Sequence, residues 1–272
     1  MKPPRASAPA TRKASADQST VRKRASPQPP VPAPSEGSAH RIRHALLRWL
    51  ELLVVTAVLL QTVWILQIVA LRWLGEPPST AFQRTAIWQL LRAEKPAPWQ
   101  HQPVPAAAIS PHIQRAVIAA EDNFFLQHHG MDWEAMRRAW QRNAQGQRML
   151  GGSTITQQLA KNLYLSGERT LWRKGQELLL AAMLENLLSK EHILAIYLNQ
   201  VEWGLGIYGI EAASQHYFGR SAAQLTTEQA ARLAVMLPQP RRLGQEPYSP
   251  YMQQRTRTIQ ARMRSITLPE SP

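Results

Sequence analysis

Two neighbouring carboxylates, Glu121 and Asp122, are followed by Phe124-Phe125, His128 and Gly130. Further along, Gly151-Gly152-Ser153-Thr154-Ile155-Thr156-Gln157-Gln158 runs into Lys161-Asn162. A third group, Arg173-Lys174, stands four and three residues before Glu177. Glycines let the backbone turn sharply and approach a ligand closely. Thr154 followed by Gln157 has the spacing of a capping box, so a helix opens there. The first amides of that helix suit an anion such as phosphate, with Lys161 two turns in. Each stretch also has a plainer explanation. A capped helix needs no ligand, and Arg173, Lys174 and Glu177 on one helical face make an ordinary ion pair worth a few tenths of a kcal/mol. His128 alone is an ordinary structural histidine.

The elements that must carry these groups read as helices. Ser110 before Pro111 is an N-cap, and apolar residues at 113, 116, 117 and 120 mark one helical face. Glu121 and Asp122 then stand at a helix C-terminus, where the dipole is also negative. An acid in that place is either solvated or kept for a task. Residues 133–150, with Arg137, Arg138, Arg142 and Arg148, are a solvated basic helix and loop or a gate over an anionic ligand. The apolar run from Leu178 to Asn199 is a long buried helix with a break near Ser189. Trp203–Gly209 is a glycine-punctuated turn, and two further helices cover Glu211–Phe218 and Thr227–Leu237. No stretch alternates with period two for long enough to make a sheet, so the fold class is mainly α.

The charge is uneven. Residues 1–48 hold ten lysines and arginines against two acids, more than half of the net +14 of the 272-residue chain. Residues 1–45 are rich in Pro, Ala and Ser and read as a disordered basic tail. From Leu52 to Leu71 no residue is charged. Twenty apolar residues at helical rise cross the hydrocarbon core of a bilayer, which gives a membrane anchor at 46–72. Arg41, Arg43 and Arg48 precede the span and Arg72 follows it, so the N-terminus is expected in the cytoplasm and the rest outside. Zero cysteines fits export. No zinc-finger spacing, RNP-like run or basic heptad helix is present, so nucleic acid is discounted as a partner. Residues 73–110 read as a connecting segment near the membrane, with a short helix over Ala81–Glu94.

Taken together, these stretches resemble the peptidoglycan glycosyltransferases of the lysozyme-like superfamily, the family 51 glycosyltransferases. Glu121-Asp122-x-x-Phe125-x-x-His128-x-Gly130 is similar to their first motif. Gly152–Gln158 with Lys161-Asn162 is similar to the second, and Arg173-Lys174-x-x-Glu177 to the third. Lys190-x-x-Ile193-Leu194-x-x-Tyr197-Leu198-Asn199 resembles the fourth, and Arg232-Leu233-Ala234 through Leu237-Pro238-Gln239-Pro240 the fifth. Five motifs in order are far more specific than any one of them. The resemblance covers residues 111–240 as a lysozyme-like catalytic domain behind a single transmembrane helix, with 241–272 as a C-terminal extension. It is strongest to the monofunctional, membrane-anchored members, since no Ser-x-x-Lys or Lys-Thr-Gly of a transpeptidase occurs.

The resemblance implies polymerisation of lipid II, a disaccharide-pentapeptide on undecaprenyl pyrophosphate, into β-1,4-linked glycan. It assigns Glu121 as the base that takes a proton from the incoming hydroxyl, with Glu177 as the second catalytic carboxylate. Asp122, Phe125, His128, Ser153, Thr154, Gln157, Gln158, Lys161, Asn162, Arg173 and Lys174 are the implied substrate-binding residues. Glu177 either orders Arg173 and Lys174 or holds a divalent cation, Mg²⁺ or Mn²⁺, against the pyrophosphate. Lipid II, the growing glycan and the membrane are the implied partners, with the cell-division or elongation machinery left open. The inner membrane is the implied location, with the catalytic domain in the periplasm. Two other readings share parts of this pattern: a lysozyme-like lytic enzyme and a non-enzymatic peptidoglycan-binding scaffold. Neither explains why two glutamates stand with phosphate-suited cations.

Overall fold

The structure is a computed structural model that describes residues 36–92, 99–144, 152–168 and 170–269. The tail before residue 36, together with Gly146, Arg148 and Gly151, lies outside these. The chain divides into two units, Met1–Val54 and Val55–Pro272. Eleven helices follow one another through the described residues: α1 (Glu36–Leu74), α2 (Ala81–Leu91), α3 (Pro111–Glu121), α4 (Trp133–Ala144), α5 (Ile155–Tyr164), α6 (Leu171–Leu187), α7 (Lys190–Gln200), α8 (Ile210–Phe218), α9 (Thr227–Met236), α10 (Pro240–Leu243) and α11 (Pro250–Met263). Three short strands, β1 (Gln100–His101), β2 (Glu202–Gly204) and β3 (Ile207–Tyr208), form a small sheet in the order β1-β3-β2. The pairing is parallel for β1 with β3 and antiparallel for β2 with β3. The mainly α class is what the sequence implies. The sheet escapes a periodicity argument because its strands span two or three residues.

The helix α1 is apolar and long enough to cross a membrane over His40–Leu74. Side chains such as Leu53, Leu59 and Leu66 are more than half exposed, a surface that lipid rather than water would cover. The helix begins at Glu36, inside the stretch that the sequence reads as a tail to residue 45, and the residues before it lie outside those described. Extending a helix adds one hydrogen bond per residue fixed, whatever the local composition. At its other end, Ile68 and Leu71 are buried and belong to the same hydrophobic core as the helices that follow.

That core joins α3, α9 and α11 on one side and α5, α6 and α7 on the other. The local signals that start these helices are visible in the structure. Ser110 accepts the His112 amide with Pro111 at the first helical position. Thr170 accepts from Arg173, Ser189 from His192, and Thr226 forms a reciprocal capping box with Gln229. Ser189 marks the break between α6 and α7 that the sequence suggests.

The compact body extends past both ends of residues 111–240. Met252, Ile259 and Met263 of α11 are buried against the core, so the stretch after 240 is a structural part of the domain. The segment before 111 is folded onto α7 through a polar network. Asn199 and Gln200 donate to the two oxygens of Glu76, at 2.7 and 2.8 Å. Gln83 donates to Gln200 at 2.9 Å, and His101 Nε2 lies 3.1 Å from the Asn199 carbonyl. Gly209, at φ 82°, lets the backbone pass where a Cβ would sit 2.7 Å from that same carbonyl. Burial pushes the Glu76 carboxyl above its ordinary range, although Gln200 and Asn199 pull it back.

Candidate active site

Glu121 is the last residue of α3 and stands where two clefts meet. One, of about 260 Å³, is lined by Glu121 with Arg138, Arg142, Ser153 and Asp132. The other, of about 640 Å³, is lined by Glu121 with Lys161, Arg173, Lys174, Glu177 and Gln158. The second has the size of a small-ligand site. Burial pushes the Glu121 carboxyl above its ordinary range, and the Asp122 charge adds to that. The opposing influence is Gln158, whose Nε2 donates to Glu121 Oε2 at 2.8 Å. A half-buried carboxylate with a raised proton affinity at a junction of clefts is suited to accept a proton.

Asp122 turns the other way. It is buried, accepts the Ile155 amide at 3.0 Å, and faces His128 Nε2 at 2.9 and 3.0 Å. Its carboxylate therefore sits on the opening amide of α5. Thr154 takes the Gln157 amide and donates its hydroxyl to the Gly130 carbonyl at 2.7 Å. Gly130 has φ 81°, and a Cβ there would press on Glu185 and the Ala181 carbonyl. The amides expected to receive an anion are thus committed, two of them, to Asp122 and Thr154. Only half of the anticipated capping box forms, because the Gln157 side chain is taken by Lys174 instead.

The cations gather along α6 and α5. Arg173 Nη1 lies 3.1 Å from Glu177 Oε2, and Lys174 Nζ pairs with Glu177 Oε1. Lys174 also donates to Ser153 Oγ at 3.3 Å and to Gln157 Oε1 at 3.2 Å. Glu177 is buried, so its role in the structure is to hold two cations at the cleft wall. Lys161 lines the same cleft, with its ammonium 5.4 Å from the Phe82 ring centre.

The implied site residues therefore sort by what they touch. Glu121, Ser153, Gln158, Lys161, Arg173, Lys174 and Glu177 line the larger cleft. Asp122, His128, Thr154 and Gln157 are engaged in fixing loops and the start of α5. The expectation that Phe125 meets the substrate needs correcting: it is fully buried, with Lys190 Nζ 4.5 Å from its ring centre. A phenyl ring with no accessible surface has no face left for a ligand. Asn162 is half-buried and lines neither cleft.

Comparison with known proteins decides the family. The transglycosylase family matches residues 89–264 of this chain. The chain belongs to that family. A biosynthetic peptidoglycan transglycosylase of Janthinobacterium sp. (strain Marseille) is 48% identical over 232 residues, which cover 84% of this chain and 100% of that protein. One of Burkholderia thailandensis is 45% identical over 256 residues, covering 91% and 99%. One of Bordetella pertussis is 45% identical over 234 residues, covering 82% and 97%. The family match begins and ends outside residues 111–240, in keeping with the packing of α2 and α11 onto the body.

Sequence reasoning missed two parts of this transglycosylase site. Tyr197, read only as a motif residue of a buried helix, donates its hydroxyl to Gln158 Oε1 at 2.8 Å. Lys190 bonds the His128 carbonyl at 2.7 Å and Glu185 Oε1 at 2.8 Å, clamping the loop after Glu121. The Tyr197–Gln158 and Lys190–His128 pairings span 39 and 62 residues, separations that no local pattern encodes. Glu177 does not fit a resident divalent cation as it stands, because each of its oxygens faces a positive side chain. Among the described residues no group of three or more His, Cys, Asp or Glu converges to hold one.

Proposed function

We propose that this transglycosylase polymerises lipid II into β-1,4-linked glycan without transpeptidation, and that Glu121 is its base. Peptidoglycan glycosyltransferase activity follows from the family and the relatives. The observation that carries the mechanism is Glu121 at the junction of the two clefts, with Lys161, Arg173 and Lys174 along one of them. Glu121 takes the proton of the acceptor sugar's 4-hydroxyl, and that oxygen forms a bond to the donor's anomeric carbon. The bond from that carbon to the pyrophosphate oxygen breaks, undecaprenyl pyrophosphate leaves, and the α-linked donor becomes a β-1,4 linkage. Inversion requires attack and departure on opposite faces of the sugar. The leaving group is an anion, so fixed positive charge serves it better than an acid. Glu177 supports this at one remove, by presenting Arg173 and Lys174.

A divalent cation, Mg²⁺ or Mn²⁺, belongs to the proposal as a companion of the substrate's diphosphate and not as a resident of the protein. The apolar helix α1 keeps the enzyme at the inner membrane where a polyprenyl substrate resides, with the catalytic domain in the periplasm. An alkaline phosphatase fusion after Pro272 should then be active, and an expressed but inactive fusion reverses the orientation. Purified protein added to lipid II in detergent with Mg²⁺ or Mn²⁺ tests the activity. Muramidase-sensitive polymer whose formation penicillin does not affect is the expected result, and shortening of pre-formed glycan would replace the synthase with a lytic enzyme.

A further inference from the structure

We propose that Tyr197 is a positioning residue that sets the protonation of Glu121 by fixing which end of the Gln158 amide faces it. The proposal rests on Glu121 being the base. A glutamine amide has a donor end and an acceptor end of nearly equal shape, so nothing in its bulk decides which end faces a neighbour. Here Gln158 gives Nε2 to Glu121 Oε2 at 2.8 Å and receives the Tyr197 hydroxyl on Oε1 at 2.8 Å. Tyr197 has no accessible surface, and its hydroxyl partner among the described residues is Gln158. Turning the amide over would leave the buried hydroxyl proton without that acceptor, which is costly. Burial also holds the phenol far above its usual range, so it stays a neutral donor throughout the working pH.

The consequence for Glu121 is chemical. An amide N–H aimed at the carboxylate favours the ionised form, the one able to take a proton. An amide carbonyl aimed there would favour the protonated form, which cannot. Other charges also face Glu121: Asp122 beside it at the end of α3, Lys161 from α5, and Arg173, Lys174 and Glu177 from α6. Asp132, just before α4, and Arg138 and Arg142 on α4 face it from the smaller cleft. The Gln158 amide itself bonds Glu121 with its nitrogen and the Tyr197 hydroxyl of α7 with its oxygen.

The test is Tyr197→Phe, which keeps the ring in the core and removes only the hydroxyl. The acid limb of kcat/KM with lipid II should move to higher pH, so that the rate falls by roughly tenfold on that limb and recovers on the alkaline side. Gln158→Leu should move the limb the same way. Adding Tyr197→Phe to Gln158→Leu should then add nothing further, because the hydroxyl acts only through the amide. A Tyr197→Phe profile superimposable on wild type, or a uniform loss at every pH that tracks a lower melting temperature, overturns the proposal. Glu121→Gln in the same panel separates the failures. If it stays active, the base assignment falls. If it is inactive while the Tyr197→Phe limb stays in place, only the positioning role falls.

Discussion

The Asp122 carboxylate accepts the backbone amide of Ile155 at 3.0 Å across a separation of 33 residues. The acid next to the proposed base thus holds the first amide of the helix that carries Gln158 and Lys161, beside the Thr154 cap. One side chain fixes the end of α3 and the start of α5 together, and with them the distance between Glu121 and the cations.

Asp122→Ala should therefore act first on stability. It strips the partner from a buried amide and from His128, each loss worth about 1–3 kcal/mol. The melting temperature should fall by several degrees, with activity lost in parallel. Thermal melts checked against initial rates decide this. An unchanged melting temperature with lost activity would instead make Asp122 a ligand of the substrate.

Glu121→Gln should divide the two roles of burial. Turnover falls by about 10²–10⁴, the usual cost of a lost general base. Stability moves in the opposite direction. The folded state raises the Glu121 proton affinity above its ordinary value of 4.5, so the fold binds that proton more tightly than the unfolded chain does. Stability from this group is fully present below 4.5 and is lost as pH rises through the raised folded value. At neutral pH the uncharged Glu121→Gln variant should melt higher than wild type, and the gap should close in acid. Melting curves across that range would show it, and a variant less stable at neutral pH would contradict it.

The cations should not respond alike. Lys174 is bonded to Glu177, Ser153 and Gln157, so Lys174→Ala leaves a buried carboxylate with fewer partners and should lower both stability and rate. The side chain is one-third exposed, which discounts the stability part. Lys161→Ala should be chiefly kinetic, lowering kcat/KM by roughly 10²–10³ as when one preorganised donor is removed. Paired with Arg173→Ala its effect should be far from additive if both act on one leaving group, as proposed. Additive effects confined to thermal stability would remove the pyrophosphate role.

Chelation separates a substrate-borne cation from a protein-held one. EDTA should lower the rate of lipid II polymerisation while leaving the melting temperature of the free protein unchanged. A chelator-induced fall in that temperature would place a cation on the protein itself.

What the sequence disclosed was whatever depends on neighbours in the chain. Ser110-Pro111, Thr154, Thr170 and Ser189 each start a helix where their spacing says, and the Arg173–Lys174–Glu177 face follows from helical periodicity alone. What it withheld depends on partners far away. Nothing near Glu76 indicates that Asn199 and Gln200 will grip it, and nothing near Phe125 distinguishes a ligand face from a core ring under Lys190. The helix α11 carries no motif and is polar on average, with an apolar side expressed only at Met252, Ile259 and Met263. Tyr197 was visible as a motif residue. Its bond to Gln158 was not, because helical spacing places a side chain on a face without saying which atom it meets.

The way the membrane-side segment joins the body has a mechanical meaning. Ile68 and Leu71 share the core of the catalytic helices, and Glu76 is clasped from α7 a few residues later. A head joined in this manner is moored rather than tethered. The last turns of α1 therefore share the cooperative unfolding of that body and do not open apart from it.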